Sequence, residues 1–236
     1  MSFIENGNYN QDVLAYFESD YFKKPKEQFK FIKKHIDKAI KNKKKVVLFD
    51  VGCARGEFIF YLQKFYPFFK YYGIDLNSEC IKFAKKSVKN AVFIQTDFLK
   101  LELNQKTDII VMSGFLAIFD NFQNILDKAL ALTKKGGFIL IFGAFNRNDI
   151  DLLTRFRNNK FSDVWQTNNI FSLETIKKYV ANKISFFGYE EFNIPIDVKR
   201  SENPIRSYTL KLEDRSRINI TDAGIYYDFY LIKIKK

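Results

Sequence analysis

Val46-Val47-Leu48-Phe49-Asp50-Val51-Gly52-Cys53-Ala54-Arg55-Gly56-Glu57-Phe58 is the stretch that decides the fold. Its apolar run, Val46 to Phe49 with Val51 beyond a single acid, is too short for a buried helix. It is rich in β-branched and aromatic residues and stops at a glycine, which predicts a buried parallel strand. Gly52 and Gly56 bracket a tight turn. From Glu57 the apolar residues take helical spacing, at Phe58, Tyr61, Leu62 and Phe65. Strand, glycine turn and helix in that order open a nucleotide-type βαβ unit. Glycine in such a bend lets the backbone approach a ligand with no Cβ in the way.

The turn itself reads Asp-Val-Gly-Cys-Ala-Arg-Gly, which departs from the G-x-G-x-x-G of dinucleotide sites, where pyrophosphate rests on a helix N-terminus. An acid at Asp50 repels pyrophosphate and suits a ligand bearing an amino group and a sulfonium. Further short strands follow in order: Lys70–Asp75, Ala91–Gln95 before Asp97-Phe98, Thr107–Ser113, and Gly137–Gly143 after the turn Lys134-Lys135-Gly136-Gly137. Across residues 45–145 this order and spacing resemble the class I S-adenosylmethionine-dependent methyltransferases. Asp50, Gly52 and Gly56 match their motif D/E-x-G-x-G-x-G, and Ala54 stands where the middle glycine sits.

The resemblance implies S-adenosylmethionine as cofactor and a seat formed by Asp50, Gly52, Cys53, Ala54, Gly56, Asp75, Leu76, Asp97, Phe98 and Ser113. In that seat Asp75 takes the ribose hydroxyls, Asp97 lies near the adenine amino group with Phe98 beside the ring, and Ser113 holds the motif IV position. The residues taken singly leave plainer alternatives open. Asp75 is a fair helix N-cap before Asn77-Ser78-Glu79, Asp97-Phe98 a strand end, and Gly136-Gly137 a helix C-cap. What joins them is that all fall at carboxyl ends of successive strands, the edge where open α/β sheets bind ligands.

Composition sets the outer bounds. In 236 residues, 47% hydrophobic and 17% aromatic content exclude a disordered chain and allow a full core. No run reaches the length of a membrane span, and the first residues lack a basic-then-apolar leader, so a cytoplasmic protein with no membrane partner is expected. Cys53 and Cys80 are expected as free thiols. The net charge of +12 invites a nucleic-acid partner. The excess is mostly lysine spread along the chain beside much Phe, Ile, Asn and Tyr, a bias that AT-rich coding also produces. Specific recognition favours arginine clusters with interleaved aromatics, so nucleic acid is disfavoured.

The chain is expected to form one methyltransferase domain: an N-terminal helical cap over 1–44, a cofactor-binding core over 45–145, and acceptor-side helices and strands over 146–236. The fold class is α/β, a seven-stranded mostly parallel sheet with helices on both faces and an antiparallel final strand. In the cap, a short helical segment at Val13, Leu14, Tyr16 and Phe17 precedes a longer one. There Pro25 fits a first turn and Phe29, Ile32, Ile36 and Ile40 form the apolar stripe. His35 lies off that stripe and is expected at the surface, though a lid helix can reach an active site. The spacing predicts helices over 56–65, 77–88 and 120–133, the last capped by Asp120, and another over 172–180. Ile184 to Ile194 is a strand candidate. A hairpin, Ser207–Leu212 and Arg217–Thr221 around the turn Glu213 to Ser216, precedes a long strand, Ile225–Ile234.

Methyl transfer from a sulfonium is an in-line displacement in which orientation does most of the catalytic work; no catalytic base or metal ligand is assigned. The fourth strand ends Ser113-Gly114-Phe115-Leu116, without the Asn/Asp-Pro-Pro-Tyr/Phe of amino-methylating nucleic-acid enzymes, and neither cysteine sits where a base-C5 methylase keeps its nucleophile. Asp120 and Asn121 leave a magnesium site open. A hydroxyl or amine of a small molecule is the expected acceptor. The segment Arg206-Ser207-Tyr208-Thr209-Leu210 with the late Gly224 loosely resembles bacterial sugar and surface-glycan methyltransferases, which implies a sugar or sugar nucleotide and a place in carbohydrate biosynthesis. Tyr9, Tyr16 and Trp165 are candidates for the acceptor wall. An RNA or protein methyltransferase and a non-catalytic cofactor-binding subunit stay as alternatives.

Overall fold

The structure is a computed structural model that describes residues 17, 20–41, 43, 45–157, 165–201, 206–213 and 217–236. Helix α1 (Glu27–Ile40) leads into β1 (Val47–Val51), α2 (Glu57–Gln63), β2 (Lys70–Asp75), α3 (Ser78–Ser87), β3 (Ala91–Gln95), β4 (Thr107–Ser113), α4 (Phe122–Leu132) and β5 (Thr133–Asn146). Then come the short β6 (Arg155–Phe156), β7 (Gln166–Thr167) and β8 (Phe171–Ser172), and α5 (Leu173–Val180). Strands β9 (Phe186–Phe192), β10 (Tyr208–Leu210), β11 (Ile218–Ile220), β12 (Tyr226–Tyr227) and β13 (Phe229–Lys235) follow. The main sheet runs β3-β2-β1-β4-β5-β13-β9, with β8 paired to β5 beyond Phe145. Strands β1 to β5 pair in parallel, and β13 is antiparallel to both β5 and β9. That is the expected seven-strand order with an antiparallel final strand.

The continuous apolar runs are explained by how each strand divides its side chains. Leu48, Val111, Leu140, Phe142 and Leu231 pack with α1, α2 and α3 on one face. Phe49, Val51, Ile110, Met112, Ile139, Ile141 and Ile232 pack with α4 and α5 on the other. Successive side chains on a strand point to opposite faces, so a sheet covered on both sides needs apolar residues at every position. Polar residues are then tolerated only at strand ends, where the loops gather.

Several local expectations shift. Helix α2 stops at Gln63, and Phe65 is exposed rather than part of its buried face. The cap of α3 is Asn77, which accepts from Cys80 N at 2.8 Å; Asp75 is not the cap. Helix α4 is capped by Asn121 rather than Asp120, because Asp120 is engaged elsewhere. Its C-cap is Thr133, in extended conformation, so Gly136-Gly137 is not a helix C-cap. Gly136 instead takes a left-handed φ of 75° and donates its N–H to Lys236 O. Pro25 lies outside α1, whose cap is Lys26. The long final strand divides at Asp228: β12 joins β10 and β11 in a separate three-stranded sheet, while β13 stays in the main one. The hairpin thus becomes a meander; part of its turn, residues 214–216, and the segment Val13, Leu14 and Tyr16 lie outside the described residues.

His35 is buried rather than at the surface, facing Phe31 and β9. Burial is the main cause that pushes its pKa down to about 4, with Lys38, Lys233 and Lys34 adding, against the attraction of Glu190 at 3.4 Å. Among the described residues no helix is long and apolar enough to cross a membrane. Truncating Ile110, which has no exposed surface in the α4–α5 layer, to alanine should lower unfolding free energy by about 2–5 kcal/mol in a denaturant titration. The same change at the half-exposed Val92 of β3 should cost under about 1 kcal/mol.

Candidate active site

The carboxyl ends of β1, β2 and β4 meet at the glycine bend. Gly52 and Gly56 have φ of 76° and 81°, and Ala54 between them is also left-handed at 46°. Alanine visits that region at a cost, and two hydrogen bonds around it hold the bend. Ala54 N donates to Asp75 Oδ2 at 2.8 Å, and Gly52 N donates to Ile74 O at 2.8 Å. Asp75 Oδ1 accepts from Asn77 N at 2.9 Å. The Asp75 carboxylate is therefore a pivot between the bend and α3. A Cβ on Gly56 would stand 2.9 Å from the Phe93 ring, so only glycine fits beneath that side of the turn.

Asp50 lies one residue short of the strand end, between Gly73 of β2 and Val111 of β4. It is buried, and burial together with the neighbouring carboxylates of Asp75 and Glu57 pushes its pKa up to about 8. Burial likewise raises Asp75. Glu57 is paired with the buried Arg55, whose Nη2 is 2.8 Å from Glu57 Oε1. The rings of Phe83, Phe17 and Phe22 surround that guanidinium at 5.0–5.6 Å. Burial favours the neutral form of Asp50 and Glu57 is paired with Arg55, so the negative charge this edge offers a cation is that of Asp75, joined by Asp50 once it ionises. Among the described residues no group of acids, histidines or cysteines is arranged to hold a metal ion.

The remaining sequence candidates divide. Cys53 gives the bend its backbone, with its N–H on Ile74 O at 3.1 Å, but its thiol is buried towards Gly73 and held far above its ordinary pKa by burial. Leu76 is exposed at the tip of β2, and Phe98 is buried with its ring edge-on to Phe115 at 6.0 Å. Asp97 caps a single turn, accepting from Leu99 N at 2.9 Å, so the strand-end alternative describes its present bonds. Ser113 Oγ accepts from Gln28 Nε2 at 3.0 Å, which ties the first turn of α1 to the end of β4.

Two site features were not legible in the sequence. The Phe115 ring lies against Gly52, where a Cβ would come within 2.8 Å of it, and Gln28 reaches in from α1. Beside the bend a cavity of about 290 Å³ opens between β4, β5 and the C-terminal strands; Gln28, Gly114, Asn168, Arg206, Tyr227 and Phe229 are in its wall. Trp165 is not in it but stands exposed with Arg157 over its ring; Tyr9 and Tyr16 lie outside the described residues. Asp120, left open as a magnesium ligand, is instead bound to Arg155 Nη2 at 2.6 Å and Asn169 Nδ2 at 3.1 Å.

The family model for a methyltransferase domain matches residues 41–180, more than half of the chain. A malonyl-[acyl-carrier protein] O-methyltransferase of Ilyobacter polytropus is 25% identical over 150 residues, 62% of this chain and 58% of that protein. The chain spans less than two thirds of the length of the curated relatives it matches. Among solved structures, the plantazolicin methyltransferase BpumL with bound SAH superposes at a TM-score of 0.61 with 17% identity, covering 95% of this chain and 90% of that one. The N-methyltransferase NodS of Bradyrhizobium japonicum, also with SAH, gives 0.56 with 14% identity, covering 96% and 97%. With the strand order alongside it, the match over residues 41–180 shows that the chain belongs to the methyltransferase-domain family.

Proposed function

We propose that the chain moves the methyl group of S-adenosylmethionine to a small-molecule acceptor seated in the cavity beside β4. The single observation that supports the reading is the acid-bound bend: Gly52, Ala54 and Gly56 turn the backbone left-handed, Asp75 accepts from Ala54 N, and Asp50 lies buried beside them. In this reading Asp75 and Leu76 hold the ribose side, Asp97 and Phe98 the adenine side, and Asp50 and the bend the methionine side. Ser113, fixed by Gln28, borders the reacting carbon. The cofactor supplies an activated methyl carbon, and the residues of this chain orient it and exclude water.

A cavity of this size lies at the small end of ligand pockets and supports a small acceptor over an RNA or protein surface. The relatives act on oxygen in one name and nitrogen in another, so they do not choose between the two. The sugar acceptor is the finer form of the reading. Its support is confined to the Arg206–Leu210 segment, which contributes Arg206 and Ser207 to the cavity wall, a role that any acceptor could use.

Transfer of labelled methyl groups to small molecules, with tRNA as the control, tests the reading; label confined to RNA would overturn it. Asp75→Asn keeps one acceptor, for Ala54 N or for Asn77 N but not both, and removes the charge, so cofactor affinity by calorimetry should fall about ten- to hundredfold, with circular dichroism checking that the fold is retained. Unchanged affinity would remove Asp75 from the site.

Asp50 yields a pH prediction. Its raised pKa means the folded chain holds a proton there between the usual carboxylate range and about 8, and a cationic ligand favours losing it. Cofactor affinity should therefore climb as pH rises towards about 8, by at most about tenfold per unit. Folding stability without ligand should decline over the same window, since the unfolded chain binds fewer protons there. Asp50→Asn should flatten both curves.

A further inference from the structure

Resting on the methyl-transfer reading, we propose that the acceptor is a primary arylamine, its ring against the aromatic part of the cavity and an N–H held by the amide oxygen of Gln28. The cavity wall sets the terms. Among the described residues its polar side chains are Gln28, Asn168, Asn169, Arg206, Ser207 and Tyr227, with no carboxylate, imidazole or lysine. Arg206 already has a partner and is not needed to hold the acceptor.

The three amides differ in what they have left to offer. Asn169 is engaged at both ends: it donates to Phe119 O at 3.0 Å and Asp120 Oδ1 at 3.1 Å, and accepts from Thr154 N at 3.1 Å. Gln28 donates Nε2 to Ser113 Oγ at 3.0 Å, and no described residue donates to its Oε1. Asn168 donates Nδ2 to the Tyr227 hydroxyl oxygen at 2.6 Å, and its Oδ1 likewise has no described donor. Neither oxygen is shut away from solvent. The wall thus presents two neutral carbonyl acceptors, which match N–H groups. Of the two, Gln28 is tied through Ser113 to the carboxyl end of β4, where the methyl-transfer reading puts the reacting carbon.

The apolar part of the wall is largely aromatic, with Phe142, Phe145, Phe171 and Phe229 in it. The Phe229 ring is near-parallel to those of Phe142 and Tyr227, at 5.8 Å and 5.9 Å, and such rings suit a flat ring alongside them.

Four acceptor classes respond differently to these surroundings. An alkylamine is an ammonium at neutral pH, and an alcohol or phenol keeps its proton, so each needs a base that the described wall lacks. Burial pushes the Tyr227 pKa up to about 12, which leaves that hydroxyl protonated and unable to serve. A carboxylate needs no base but would set its charge against two carbonyl oxygens, with no N–H to give them. An arylamine is uncharged at neutral pH, has its lone pair free and carries N–H groups for Gln28 Oε1. In the step, the nitrogen pair forms its bond to the methyl carbon as the carbon–sulfur bond breaks, and the bonding pair stays on sulfur. The N-methylanilinium so formed is acidic enough to pass a proton to water, leaving a neutral thioether and an N-methylarylamine.

The test incubates the purified chain and methyl-labelled cofactor with aniline, cyclohexylamine, phenol and benzoate at neutral pH. Labelled N-methylaniline is expected. A second readout avoids turnover: with S-adenosylhomocysteine present, calorimetry compares aniline with N,N-dimethylaniline, which has no N–H. Aniline should bind about tenfold more tightly to the unaltered chain, and Gln28→Leu should abolish that preference. A merely structural Gln28 would weaken both ligands alike and leave the preference in place. No label on aniline, label on cyclohexylamine, phenol or benzoate in its stead, or an N–H preference that survives Gln28→Leu would overturn the arylamine. Failure to bind the cofactor at all would instead overturn the methyl-transfer reading beneath it.

Discussion

A parallel sheet buried on both faces leaves polar chemistry only its ends. In this chain β1, β4, β5 and β13 send alternate side chains into two separate helical layers, so a polar residue within those strands would be desolvated on either side. Asp50, one residue from the end of β1, shows what such a position costs. Its carboxyl is driven towards the neutral form by burial and by Asp75 and Glu57. The strand tips thus become the place where acids can stand, and burial there raises the pKa of both Asp50 and Asp75. Everything at the site follows from that crowding.

The bend is held by few bonds. Asp75 accepts from Ala54 N and Asn77 N, and Ile74 O takes the N–H groups of Gly52 and Cys53. The end of β2 therefore shapes the loop after β1, and the same carboxylate expected to take ribose hydroxyls also maintains the loop in front of them. Buried Arg55, boxed by three rings and paired with Glu57, supplies the positive charge that keeps three close acids compatible with folding. Removing such a guanidinium would strand a buried carboxylate, so Arg55 contributes to the stability of the bend.

The cavity wall is assembled from distant segments. Gln28 comes from α1, Asn168 and Asn169 from the stretch after β7, Arg206 from just before β10, and Tyr227 from β12. The division of the final strand at Asp228 makes this possible: β12 pairs with β11 and carries Tyr227 to the wall, while β13 stays in the main sheet. Gly114, just past β4, lines the cavity, and its neighbour Phe115 lies against Gly52 of the bend.

The sequence by itself determined the parallel strands and the glycine bend, because both rest on local spacing: apolar runs of strand length, then Gly52 and Gly56, then helical periodicity. It also placed Asp75 and Asp97 at strand ends. It misplaced His35 and the cap of α4, and took Gly136-Gly137 for a helix end, because each depends on what lies opposite: β9 over His35, Arg155 against Asp120, the chain terminus beside Gly136. Only the tertiary structure decided that Phe115 leans on Gly52, that Gln28 reaches Ser113, and that Asn168 meets Tyr227. Those pairs are separated by tens to scores of residues, and no periodicity links them; they come together only when the sheet closes.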